Sequence, residues 1–176
     1  KRIFESLISR SLLIEISDQS TQNKFIITHA GIPEIWSPEK AKDLAEEVSI
    51  ALTDNTSKIL KTMWGDRPNS WNESLAGNDR HRIIINYLTR MRFLGNAASL
   101  DLKNTSINPS VGCKPWFRYK SESYKKMKQY YVFGHWASLN GQTNNPHFIG
   151  LDTGCVWEGS LTALRVDNLE KISVQY

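Results

Sequence analysis

Cysteine is nearly absent from this chain: of 176 residues only Cys113 and Cys155 carry a thiol, far apart in sequence. That excludes a disulfide-stapled scaffold and fits a reducing compartment. With no Cys-x-x-Cys pair, a cysteine zinc site is excluded as well. No apolar run approaches the roughly 18 residues of a membrane-spanning helix. The first residues do not read as a signal peptide, so nothing argues for secretion, and a cytoplasmic protein is the expectation. Internal repeats and low-complexity tracts are also lacking. With 40% hydrophobic and 23% charged residues, the chain is a globular domain rather than a disordered segment. Its net charge of +4 suits anionic partners. The lysines are scattered and the arginines gather only between Arg80 and Arg92. A small phosphorylated ligand explains that distribution at least as well as a nucleic-acid duplex, and an ordinary basic surface accounts for most of the lysines.

What is present is a matched pair of histidines. His29 follows Phe25-Ile26-Ile27-Thr28, and His135 follows Tyr130-Tyr131-Val132-Phe133-Gly134. Short runs of β-branched and aromatic residues read as buried strands. A small residue beside each histidine lets the backbone approach a ligand closely. Neutral imidazole is the commonest metal-ligating side chain. Two histidines in like contexts suggest one shared metal site, although a hydrogen-bonded residue at a strand end gives the same pattern.

The rest of the chain supplies a scaffold for such a site. The residues before Ser11 read as an amphipathic helix already under way at Lys1, with Ile3, Phe4, Leu7 and Ile8 on one face. The expectation is the later part of something longer. Residues 12–16 and 25–28 predict a hairpin. Ser37-Pro38-Glu39 predicts a helix start by N-cap, proline and acidic first turn, running to about Leu52. A second helix is predicted from Asn55 or Thr56 to Trp64. Gly65-Asp66-Arg67-Pro68-Asn69 is a loop. A third helix is predicted over 82–92, with Arg82, Asn86 and Arg90 along one face and Ile83, Ile84, Tyr87 and Met91 on the apolar side. Residues 95–129 read as irregular. Strands at 130–134, 148–152, 161–166 and 171–174 predict a β-meander in a largely antiparallel sheet.

Six blocks carry a resemblance. They are Thr28-His29-Ala30-Gly31-Ile32, Met63-Trp64-Gly65-Asp66-Arg67-Pro68-Asn69-Ser70-Trp71, Thr89-Arg90-Met91-Arg92-Phe93, Lys114-Pro115-Trp116-Phe117, Phe133-Gly134-His135-Trp136-Ala137-Ser138-Leu139 and Leu151-Asp152-Thr153-Gly154-Cys155-Val156-Trp157. In this order they resemble the bacterial symmetrical diadenosine tetraphosphatases, calcineurin-like metallophosphoesterases related to the serine/threonine protein phosphatases. The resemblance implies an α/β (α+β) fold, the C-terminal part of a single four-layer α/β/β/α sandwich domain. It implies hydrolysis of diadenosine tetraphosphate into two ADP, with two divalent metal ions of the manganese or cobalt type. It makes His29 and His135 metal ligands. The family's G-D-x-H-G and G-N-H-[DE] blocks, which carry the remaining ligands, are missing from residues 1–176. Gly77-Asn78-Asp79-Arg80-His81 is only superficially like the latter, and His81 reads as a surface residue.

Two-metal hydrolysis of a phosphoanhydride needs carboxylates beside the imidazoles. With two imidazoles and no carboxylate cluster, the chain alone reads as catalytically incompetent. An uncovered sheet face and an open edge are expected where the missing half would sit. Arg90 and Arg92 are the best phosphate forks, together facing a substrate only if the helix ends between them, with Arg90, aligned with Arg82 and Asn86, the preferred one. Asp66 resembles the Trp-x-Asp carboxylate that orients groups around the metals in the related phosphatases, or caps a turn. Asp152 lines the same cleft or closes its own turn. Trp64, Trp71, Trp136 and Trp157 offer faces for a dinucleoside polyphosphate's bases, or fill the core. The alternatives are a non-catalytic nucleotide- or metal-binding fragment and a metallophosphatase acting on phosphoprotein.

Overall fold

The structure, a computed structural model, describes residue 6, residues 8–118 and residues 128–175. Ile3, Phe4 and Leu7 of the predicted first helix lie outside the described residues, as does the lysine-rich stretch before Lys128.

A four-stranded sheet forms the centre, built from β1 (Leu13–Ser17), β2 (Lys24–Thr28), β6 (Gln129–Phe133) and β7 (Phe148–Gly150) in the order β1-β2-β6-β7. β1 and β2 form the predicted antiparallel hairpin. β6, however, runs parallel to β2, and β7 runs parallel to β6. The meander expectation is therefore corrected at this point. Residues 134–147 are a crossover rather than a hairpin turn, and parallel neighbours require such a connection. Across all sheets most pairings are nonetheless antiparallel. β3 (Phe93–Leu94) pairs with β4 (Leu100–Asp101) and β5 (Lys114–Pro115), and β9 (Ser160–Leu164) pairs with β8 (Asp152–Thr153) and β10 (Lys171–Gln175). The small β4-β3-β5 sheet lies within residues that read as irregular. Two-residue strands are too short to show a period.

Three helices cover one face of the central sheet. Helix α1 (Pro38–Asp54) starts as predicted, the Ser37 side chain accepting from the Lys40 amide with proline at the first helical position. Ala41, Leu44, Ala45 and Val48 form its buried stripe. Helix α2 (Thr56–Thr62) is capped by Asn55. Helix α3 spans Gly77–Arg90, beginning earlier and ending sooner than the predicted 82–92. The Gly77-Asn78-Asp79-Arg80-His81 segment is thus its first turn. Poor helix formers and no side-chain cap hid that start. His81 is not fully exposed either: its side chain packs toward Glu47, with Nε2 3.6 Å from the carboxylate.

The main core lies between this face and the helices. Leu13, Ile26, Tyr131, Phe133 and Phe148 of the sheet meet Ile83, Ile84, Tyr87 and Leu88 of α3. Trp116 sits among them, edge-on to Phe133 and Phe148. Among the described residues, the opposite sheet face buries Phe25, Val132 and Ile149, with Leu164, Val166 and Leu169 packed against them.

Candidate active site at the carboxyl ends of the parallel strands

Parallel pairing decides where the chemistry lies. β2, β6 and β7 all end at one edge, and open α/β sheets bind ligands outside the carboxyl ends of their strands. His29 directly follows β2, His135 lies two residues beyond β6, and Asp152 lies two residues beyond β7. The register aligns Ile27 with Val132 and Phe133 with Gly150, so His29 falls beside Gly134 and His135 beside Asp152, all within one residue of the same level. The imidazoles of His29 and His135 meet, with ring centroids 5.1 Å apart and planes tilted by 57°.

The carboxyl end of α3 holds this arrangement. A helix leaves its last carbonyls without intrahelical partners. The Leu88 carbonyl accepts from the Ala30 amide at 2.8 Å, and the Arg90 carbonyl lies 3.1 Å from Nε2 of His135. A carbonyl can only accept, so this contact assigns the His135 proton to Nε2 and leaves Nδ1 with a free lone pair. The negative end of the helix dipole also favours a cation beside the two rings. His135 itself has φ 65°, a left-handed conformation uncommon outside glycine and often found at functional sites.

Burial disfavours the charged form of both imidazoles. Burial lowers the His29 value from its ordinary 6.5, with Asp152 opposing the shift and Arg92 adding to it. His135 falls to about 4, first through burial and then through repulsion from Arg92 and from His29. A neutral imidazole keeps the lone pair that a metal needs.

Arg92, not the favoured Arg90, faces this site. Helix α3 ends at Arg90, as a joint facing of the two arginines requires, but Arg90 is held by Asp66 while Arg92 reaches the His135 carbonyl. The guanidinium of Arg92 donates to the His135 carbonyl at 3.3 Å, and its Nε is buried without a hydrogen-bond partner. Arg92, His135 and Asp152 line a cavity of about 620 Å³ together with Thr105, Ser138 and Trp157. A guanidinium at such a wall is suited to an anionic oxygen.

The Arg82, Asn86 and Arg90 face exists, but its donors hold protein. Arg82 donates to the carbonyls of Thr62 and Arg67 and pairs with Asp79; Asn86 donates to the Gly65 carbonyl. Arg90 donates to Asp66 at 3.0 Å, to Asn86 and to Gly65. These side chains fix the 62–67 loop against α3. Asp66 is therefore brought to Arg90 rather than to an imidazole, and the His135 proton is positioned by the Arg90 backbone instead. Asp152 accepts from the Gly154 amide at 3.1 Å, so it closes its turn and lines the cavity at once.

The expected role of glycine needs correction. At Gly31 an added Cβ would lie 2.4 Å from the Trp116 ring, so the core rather than a ligand demands that glycine. At Gly134 a Cβ would find ordinary contacts of 3.7 Å and 3.9 Å. The site also contains groups that sequence reasoning missed. Thr105 and Ser138 reach the cavity because the Trp136 indole and the Ser138 hydroxyl donate to the carbonyls of Ser106 and Thr105, respectively.

As a metal centre the donor set is of the right kind and incomplete. Two neutral imidazoles beside a carboxylate and a helix carboxyl end suit a borderline divalent ion. Among the described residues, however, no cluster of three or more histidine, cysteine, aspartate or glutamate side chains is arranged to hold a metal.

Comparison with known proteins shows what the chain is similar to. No family model matches the chain. Curated relatives named symmetrical bis(5'-nucleosyl)-tetraphosphatase do match it. The protein of Marinomonas sp. (strain MWYL1) is 46% identical over 151 residues, 84% of this chain and 54% of that protein. The chain is similar to one portion of a symmetrical bis(5'-nucleosyl)-tetraphosphatase. A Pseudomonas fluorescens (strain Pf0-1) tetraphosphatase shares 43% identity over 86% of this chain and 53% of its own length. For the Legionella pneumophila tetraphosphatase the values are 38%, 89% and 57%. The chain thus spans about half the length of the curated tetraphosphatases it matches. None of the described helices is long and apolar enough to cross a membrane.

Proposed function

We propose that this chain is part of a hydrolase that cleaves diadenosine tetraphosphate symmetrically into two ADP. The observation that carries this reading is the convergence of His29, His135, Asp152 and Arg92 at one sheet edge, in a chain whose relatives bear that name. His29 and His135 would hold a divalent ion of the manganese or cobalt type, one of a pair. Such ions, when bound, supply an activated hydroxide and neutralise phosphoryl oxygens. The chain's own residues do the rest of the positioning. Arg92 clamps a phosphate oxygen through its guanidinium, whose constant charge offsets charge as the anhydride opens. The Arg90 carbonyl keeps His135 in one tautomer. Asp152 opposes the electrostatic isolation of His29 and sets the cavity wall.

On this reading the remaining carboxylate and histidine donors would come from outside the described residues. Alone, the chain is a binding half without turnover. Free thiols at Cys113 and Cys155 suit a reducing cytoplasm. A phosphoprotein substrate is disfavoured by the tetraphosphatase names of its relatives. The test is ADP release from diadenosine tetraphosphate with added manganese, run on this chain and on a form extended by its upstream coding sequence. Turnover is expected only in the extended form, and His29→Ala or His135→Ala should abolish it. Full activity in both variants would overturn the assignment.

A further inference from the structure

Four tryptophans are candidates for holding a base, and their surroundings separate them. Trp136 is buried and its indole is spent on Ser106 and Ser138. Trp71 is edge-on to Trp36 and lies under Lys40 and Arg80, with its indole on Glu73. Trp64 lies beneath Arg90 and lines an apolar groove with Ile8, Leu52, Leu60 and Met63. Trp157 alone of the four is both open to solvent, at 78% exposure, and on the wall shared by Arg92, His135 and Asp152.

The backbone gives this exposure a built character. Trp157 closes a single 3-10 turn, Cys155–Trp157, bracketed by left-handed Gly154 and Glu158. Its amide and that of Gly159 both donate to the Gly154 carbonyl, at 2.8 Å and 2.9 Å. The loop is too tight for any side chain at Gly159, where a Cβ would come within 2.2 Å of the Thr153 carbonyl. The indole is therefore presented by a closed, short loop at the mouth of a charged cavity.

We infer that Trp157 is the stacking platform for the nucleobase of the bound substrate, with Arg92 taking the adjoining phosphate. This rests on the proposed phosphoanhydride site and adds what distinguishes a nucleotide from inorganic polyphosphate there. Every base offers a π-face, so the platform selects for a base without selecting strongly among bases.

The test measures binding of ADP and of inorganic pyrophosphate to the intact chain by calorimetry, in wild type, Trp157→Ala, Trp157→Phe and Trp64→Ala. The wild type should bind ADP more tightly than pyrophosphate. Trp157→Ala should weaken ADP by about 5- to 100-fold and leave pyrophosphate within about twofold. Trp157→Phe should keep most of the ADP affinity, and Trp64→Ala should match wild type. Equal binding of the two ligands, or an ADP affinity indifferent to Trp157→Ala, overturns the inference and leaves the phosphate site standing. Failure of both ligands to bind the wild type overturns the phosphate site, and the inference with it.

Discussion

On one face of the central sheet, Leu13, Ile26, Tyr131 and Phe148 are buried beneath the three helices and Trp116. On the other, Phe25, Val132 and Ile149 are buried while Ile14 and Ile16, which share their face by register, remain exposed. The β9–β10 ribbon beside this second face shows the same deficit in a sharper form. Leu161 pairs with Val174 and Ala163 with Ile172, so all four side chains share one face, and that face is exposed. The reverse face carries a hydroxyl chain from Thr153 through Thr162 to Ser173. A ribbon that turns its apolar side outward leaves that surface in water. Asp152 pairs with Leu161 and so belongs to the same side as this uncovered stripe. The two faces differ in cover: one is buried beneath helices, and the side next to the candidate site keeps apolar side chains exposed.

That contrast can be broken by substitution. Trp116→Ala removes a fully buried ring from the finished face and should cost about 3–5 kcal/mol in urea unfolding; a cost under about 1 kcal/mol would mean that the helix-covered core is not what holds the chain together. Arg82→Ala leaves the Thr62 and Arg67 carbonyls without their donor and should cost about 1–3 kcal/mol. Its effect on ligand affinity should be negligible, which distinguishes it from Arg92→Ala. On the unfinished side, Leu161→Thr with Val174→Thr should change stability by less than about 0.5 kcal/mol while reducing self-association in sedimentation. A large stability loss there would show that the stripe is already covered in the isolated chain.

A pH series sharpens the comparison at the junction of the two faces. His135 has a folded value of about 4 against an ordinary 6.5, so the unfolded chain takes up its proton first as pH falls. Stability should therefore be full above the ordinary value and fall as pH drops from about 6.5 toward 4. It should then cease to depend on this group. His135→Gln should flatten that part of the profile of unfolding midpoints against pH; an unchanged profile would show that another group governs it.

Much of this was legible in sequence because it is local. Ser37-Pro38 announces α1, apolar runs on either side of a polar turn announce the β1–β2 hairpin, and the histidines announce themselves at strand ends. The parallel pairing of β2, β6 and β7 was not legible, because short apolar runs give no sign of strand direction. Yet that pairing is what puts Asp152 beside the two imidazoles. The choice between Arg90 and Arg92 turned on the Asp66 contact that holds Arg90, which periodicity does not show. The Arg82–Asn86–Arg90 face reads as ligand-facing because polar periodicity looks the same whether it meets a substrate or the carbonyls of the 62–67 loop, and the block resemblance at Asp66 does not show that its carboxylate meets Arg90.

The most direct measurement is manganese titration of the isolated chain, followed by paramagnetic broadening of the histidine ring signals in NMR. His29 and His135 should broaden together at the same added manganese, ahead of His81 and His147, and His29→Ala should spare the His135 ring at that concentration. Independent broadening of the two rings, or none beyond that of His81 and His147, would contradict a shared cation between them.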